Sequence, residues 1–304
     1  MEGRGVTTWE RSGPVVAEVD GTAESLRVVD YAYLEALRAH AELLLVAPYS
    51  PGASSAEART ESSADDRLRA AARHARQKYG DGLRIDTASR EGSRRRALGE
   101  GAWHARMLVV GRKRVQGPRR LAVAEANLSL AGRVGCPLVV VPLSWRPGFT
   151  DRRVAVGIDG TALSNEAVEF ALSTAASRDG DLIVVHAAPS RDVTRRAEEE
   201  HRWMTRADQL ISEALAQWRS EFPAVRVTRF VSSRPVPEAL VRESNEVGLV
   251  VVGAHLGAGP TSDPVVRASI AAMPCPVAIV PHHPREAVSG PVTCRASTRS
   301  VLTP

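Results

Sequence analysis

The feature that most narrows what this chain can fold into is a repeat. VDGTAES, Val19 to Ser25, returns as IDGTALS, Ile158 to Ser164. Asp20 and Asp159 stand 139 residues apart, and so do Thr22 and Thr161, Ser25 and Ser164, Cys136 and Cys275, and Pro137 and Pro276. One spacing held from the start of a segment to its end marks a duplicated unit rather than a recurring short motif. With 304 residues, 43% of them hydrophobic, the chain can fill two cores. We therefore expect one domain over residues 1–146 and a second over 147–284, joined by LSWRPGFTDRR. A tail over 285–304 lacks periodicity and is expected to be disordered.

Within each copy, short apolar runs alternate with helix-like stretches. The first carries VVAEV, ELLLVA, LRID, MLVVG and PLVVV; the second carries RVAVGI, DLIVVHA, VRVTRFV, GLVVVG and PVAIV. Runs rich in β-branched residues without strict alternation suit parallel strands covered on both faces, and the spacers between them suit crossover helices. The expected class is α/β, with two doubly wound, five-stranded, Rossmann-like parallel-sheet domains. Thr161 or Ser164 can cap a helix whose apolar face is Ala167, Phe170, Ala171 and Thr174. EEEHRWMTRADQLISEALAQWRS reads as the clearest helix, with Trp203, Leu210, Ala214 and Trp218 toward the core. The Ser-, Ala- and Pro-rich stretch PYSPGASSAEARTESSAD from Pro48 reads as a loop.

A strand, Asp-Gly-Thr-x-x-Ser, an Ala-rich helix, a strand ending in HAAP, then VVGAHLGAG and a closing Cys-Pro-hydrophobic strand follow one another in register. The closing strand occurs twice, as GCPLVVVP and PCPVAIVP. In this order the motifs resemble the universal stress protein family, roughly over Pro14 to Pro142 and Arg152 to His282, more closely in the second half. The resemblance implies a five-stranded parallel sheet per domain, pairing through the last strands into dimers or tandem pseudo-dimers, and a role in surviving stress or growth arrest. It also implies adenine nucleotide binding in one branch of the family and none in another.

In an open parallel sheet a ligand sits at the carboxyl ends of the strands, its phosphates held by backbone N–H groups of a glycine turn at a helix N-terminus. In the nucleotide-binding branch the pattern is two glycines separated by two residues, nine more residues, then Gly-Ser or Gly-Thr. In the first copy Gly111 leads, but Arg114, Ala124 and Glu125 occupy the other positions. Glu125 puts a carboxylate where phosphates would lie. Arg112, Lys113, Arg114, Arg119 and Arg120 could hold an acidic ligand by charge instead, or form a solvated basic loop. In the second copy Gly253 leads, Leu256 replaces the second glycine, and Asp263 and Pro264 fall at the Gly-Ser position in a loop three residues shorter. Gly257, Gly259, Thr261 and Ser262 could build another anion cradle. On the adenosine side, Asp20 and Asp159 match the family's nucleotide-contacting aspartate, and Ala187 matches a position that packs on adenine. The same turns also read as helix caps with no ligand, Asp20 more so than Asp159. The binding residues expected, if a site survives, are Asp159, Ala187, Gly253, Gly257 and Gly259, with ATP or AMP held weakly.

Other classes find little support. No GxxxxGK[ST] loop, HExxH or spaced Ser-His-Asp set is present, so no enzyme is expected; His186, His255 and the pair His282-His283 read as exposed or capping rather than catalytic. Three cysteines, Cys136, Cys275 and Cys294, are too few and scattered for a disulfide framework or a metal site. The net charge of +5 comes almost entirely from arginine, and aromatics are only 4% of the chain, which argues against a nucleic-acid surface. No apolar run approaches the roughly 18 to 20 residues that span a bilayer, and the first residues lack a signal region, so a cytoplasmic protein is expected. The function expected is a stress-response regulatory or interaction module with nucleotide binding weakened or lost. The alternative is an ATP- or AMP-binding member with its site in the second domain.

Overall fold

The computed structural model describes residues 12–53, 60–112, 119–161, 163–188, 197–255 and 264–282. Strands and helices alternate in both halves. The first runs β1 (Val15–Glu18), α1 (Ser25–Arg38), β2 (Leu43–Tyr49), α2 (Glu61–Tyr79), β3 (Ile85–Glu91), α3 (Arg94–Gly101), β4 (Met107–Gly111), α4 (Arg119–Ala131) and β5 (Leu138–Val141). The second repeats it as β6 (Val154–Ile158), α5 (Leu163–Ser177), β7 (Leu182–Ala188), α6 (Ala197–Ala216), β8 (Val227–Pro235), α7 (Val236–Glu243), β9 (Leu249–His255), α8 (Pro264–Ala272) and β10 (Val277–His282).

Each half is parallel throughout, and the two join edge to edge in one ten-stranded sheet of order β3-β2-β1-β4-β5-β10-β9-β6-β7-β8. The seam is the antiparallel pair β5 and β10, with Val140 opposite Val277, Val139 opposite Ala278, and Leu138 opposite Ile279. Because Val139 and Ala278 are themselves 139 residues apart, the seam maps onto itself when the halves are exchanged. A pseudo-twofold axis therefore passes through that pair. Its chemistry explains it: β5 is buried along its whole length, and an apolar edge left unpaired would expose both its backbone groups and its side chains.

The apolar runs become strands because helices cover both faces. Val15, Val16, Val109, Val139, Val156, Val184, Val251 and Ile279 are all buried in one continuous core. On α5, Ala167, Phe170, Ala171 and Thr174 are buried as the periodicity predicts. On α6 the buried line is Ala207, Ile211 and Leu215, with Ala214 and Trp218 packed at its edge. One expectation fails: the last part of the Ser-rich stretch after Pro48 is not loop. Thr60 caps α2, its side chain accepting from the Ser63 N–H at 3.2 Å, so the helix starts at Glu61 inside TESSAD. Gly80, at φ +85°, ends it.

The linker is structured as well. Trp145 is buried, its ring edge-on to Tyr31 with centroids 5.2 Å apart, and Phe149–Arg152 forms a single 3-10 turn. Among the described residues no helix is long and apolar enough to cross a membrane. The expected tail lies outside the described residues.

Candidate functional site

Both Asp-Gly-Thr turns close the first strand of their half and fold alike. Asp20 Oδ1 accepts from the Thr22 N–H at 3.0 Å and from the Thr22 hydroxyl at 2.6 Å. Asp159 Oδ1 accepts from the Thr161 N–H at 2.9 Å and its hydroxyl at 2.7 Å. These are Asx turns, and they need a glycine in the middle: Gly21 and Gly160 have φ of +85° and +82°. A Cβ at Gly160 would also stand 3.1 Å from Leu210 of α6. The copies differ in the serine. Ser25 donates to the Thr22 carbonyl at 2.7 Å, whereas the Ser164 hydroxyl donates to Asp159 Oδ1 at 2.8 Å and accepts from the Asp159 N–H. Partial burial, the largest influence, pulls the Asp159 carboxyl upward. The hydrogen bonds from Thr161 and Ser164 outweigh it and hold the group below the usual carboxylate range.

Strand register brings three of the five expected second-half residues to one edge. Ile158 pairs with His186 and Gly157 with Val252. One residue further along, Asp159 stands level with Ala187, and Ile158 stands level with Gly253. Ala187 is buried, 5% exposed. Gly257 and Gly259, with Leu256, Thr261, Ser262 and Asp263, lie outside the described residues. His186 corrects the expectation of an exposed or capping histidine: it is buried, its Nδ1 lies 3.0 Å from the Ile158 carbonyl oxygen, and its ring stacks on Trp203 at 6.0 Å. Trp203, read from sequence as a core residue of α6, thus stands at the same edge as Ala187. The His255 and His282 side chains and all of His283 lie outside the described residues.

In the first half a cavity of about 220 Å³ opens at the carboxyl ends of β1, β4 and β5, lined by Glu18, Asp20, Thr22, Gly111, Arg112 and Val141 among others. Its floor was not foreseen. Glu18, 5% exposed, is gripped by Arg94 through two bonds of 2.5 and 2.7 Å, and Arg94 also donates to Asn127 Oδ1 at 3.1 Å. Sequence reading passed over Glu18 because it interrupts an apolar strand without belonging to any motif.

The basic loop is represented by Arg112, whose guanidinium donates to the carbonyl oxygens of Ile270 at 2.9 Å and Met273 at 2.8 Å, at the far end of α8 in the other half. This cation thus ties the two halves across the seam. Lys113 and Arg114 lie outside the described residues, as do the side chains of Arg119, Arg120 and Glu125. Ala124 is buried within α4. Among the described residues, no cluster of three or more His, Cys, Asp or Glu could hold a metal ion.

Comparison with known proteins follows the same division into halves. The model of the Universal stress protein family matches residues 13–142 and again residues 151–281. A universal stress protein of Mycolicibacterium smegmatis is 32% identical over 181 residues, which is 57% of this chain and 60% of that protein. One from Mycobacterium tuberculosis H37Rv is 30% identical over 163 residues, 52% of this chain and 49% of that one. The chain thus matches about half to three-fifths of these relatives' length. Among solved structures, a universal stress protein from Archaeoglobus fulgidus superposes over 92% of this chain and 100% of its own, with a TM-score of 0.66 and 13% identity. A putative universal stress protein from Pseudomonas aeruginosa covers 90% of this chain and 94% of its own, with a TM-score of 0.61 and 16% identity. At those identities the likeness is one of fold.

Proposed function

Since the chain belongs to the universal stress protein family, whose model matches both of its halves, we propose that it is a stress-response regulatory and interaction module in which adenine nucleotide binding is weakened or lost. No residue is assigned a catalytic role in this reading. The observation that carries it is where α4 begins. The helix starts at Arg119, so Ala124 and Glu125, at the family's Gly-Ser position, lie in its second turn. There each backbone N–H already donates to a carbonyl four residues back; only the first four N–H groups of a helix are free for a phosphate. Ala124 and Glu125 therefore offer no free backbone donor at that position, and Arg112 donates to carbonyls at the end of α8.

A second reading, a nucleotide site in the second half, draws support from Asp159, Ala187 and Gly253 meeting at one sheet edge and from α8, which starts at Pro264 beside the expected phosphate position. Pro264 has no N–H to give, and Asp263 before it carries a charge of the wrong sign. The phosphate end is the weak end of that site. Calorimetric titration of the whole protein with ATP, AMP and adenosine at low salt separates the readings. The module reading expects no binding, or weak binding in which ATP is preferred over AMP by less than about tenfold, roughly 1.4 kcal/mol, and which Asp159→Ala abolishes. Micromolar ATP binding with a strong preference over AMP would favour the second reading and overturn the first.

A further inference from the structure

Beneath the seam, the two halves meet through a buried charge pair that exists once, not twice. Arg178, which follows α5 and is 4% exposed, donates to Glu35 Oε1 of α1 at 3.0 Å, to the Tyr31 hydroxyl at 2.8 Å, and to the Asp151 carbonyl oxygen at 2.7 Å. Glu35 is 2% exposed and also receives Arg38 at 2.7 Å. Buried together, the two ions raise the guanidinium's already high pKa: desolvation opposes its charge, but Glu35 and its neighbours more than compensate.

The pseudo-twofold relates each of these positions to one in the other half, and around these helix ends the correspondence holds residue by residue. His40 and Asp179, 139 residues apart, both have φ of +50°. Ala41 N–H bonds to the Ala36 carbonyl and Gly180 N–H to the Ala175 carbonyl, each at 2.9 Å and again 139 apart. The counterpart of Arg178 is therefore Ala39, that of Glu35 is Thr174, and that of Tyr31 is Phe170. None of the three can complete the pair. Two first halves meeting through this face would set Glu35 against Ala39. Two second halves would bury two Arg178 guanidinium groups against Thr174 and Phe170, with no acidic side chain from across the seam.

We infer that the Glu35–Arg178 pair makes this seam selective for unlike halves: the face of each half accepts the other half and rejects a second copy of itself. A buried ion pair adds little net stability compared with apolar residues of the same shape, but leaving one of its members without the other is costly, and that difference is what discriminates between partners. Arg112 weighs against pairs of two second halves only, since its counterpart by strand register is Ala254, which cannot make the same contact with a partner's α8.

The test uses the whole chain carrying a protease recognition sequence inserted between the exposed residues Arg146 and Pro147, cut after folding so that both halves are present in equal amount. The cut protein is unfolded in urea, refolded and weighed by native mass spectrometry. The wild-type seam should return pairs of one first and one second half, with like pairs below about a tenth of the total. The double variant Glu35→Leu with Arg178→Met, which keeps the face apolar and uncharged, should raise the share of like pairs at least about fivefold. Abundant like pairs from the wild type, or exclusive unlike pairing in the double variant, would overturn the inference. In the uncut chain, a double-mutant cycle over Glu35→Gln and Arg178→Met should show coupling of about tenfold or more in the unfolding equilibrium. Additive single effects there would overturn it too.

Discussion

Asp159 and Asp20 show how one residue type at one motif position holds a turn through its own side chain. In each, one carboxylate oxygen is committed to the threonine two residues on, and at Asp159 the Ser164 hydroxyl joins it. Replacing either with alanine removes an Asx turn at a helix start and should cost about 1 kcal/mol, measured as a shift in urea midpoint. The pH dependence should distinguish Asp159 from a generic cap. A carboxyl held below its unfolded pKa contributes stability that is full above the ordinary carboxylate range and is lost as pH falls through its lowered folded value. Thermal unfolding between pH 6 and pH 3 should therefore fall less steeply in Asp159→Asn than in wild type. An identical slope in both would show that the Thr161 and Ser164 hydrogen bonds do not bias this group's protonation.

At the scale of elements, the strands were the legible part. The central apolar runs became strands because burial on both faces leaves a parallel strand no room for alternation, whereas the edge strands β3 and β8 are only partly covered. The start of α2 was missed because TESSAD is polar, yet polarity at a helix's first turn is what capping requires. Side-chain partners were not legible, since a 139-residue spacing shows which positions are equivalent and not which ones face each other. The floor of the first-half cavity is an example. Glu18 and Asn127 correspond to Gly157 and Val266, so one half solves this layer with a buried ion pair and the other with apolar packing. There, Leu240 packs closely over the glycine: a Cβ at Gly157 would stand 3.2 Å from it. Arg94→Met, by stranding Glu18, should destabilise the protein by about 3 kcal/mol or more, whereas Glu18→Leu combined with Arg94→Met should recover most of that loss. Urea unfolding of the three proteins decides it. A double variant no more stable than the single one would mean that the pair itself, not relief of an unpaired charge, holds the layer.

For the whole molecule, the question is whether ten strands make one cooperative unit or two. The core is continuous across the seam, and Arg112, Arg178 and Ser144 each bond into or out of the opposite half: Ser144 donates to the Pro274 carbonyl at 3.0 Å, and Arg112 and Arg178 reach Ile270 and Glu35. Two thiols report on the two halves separately. Cys136 and Cys275 are equivalent, each just ahead of a seam strand, and burial pushes both up to about 12, so neither has appreciable thiolate in the folded protein near neutral pH. Labelling with a thiol reagent across a urea series, with peptide mapping to separate these two from Cys294, follows each half through unfolding. If the seam couples them, Cys136 and Cys275 should become reactive together, at one midpoint. Breaking the seam should part them. Val139→Asp, at the axis itself, buries an unpaired carboxylate between β5 and β10, and the two thiols should then be exposed at different urea concentrations, with both midpoints lowered. Separate midpoints already in the wild type would mean that the halves unfold independently and that the ten-stranded sheet is two five-stranded sheets in contact.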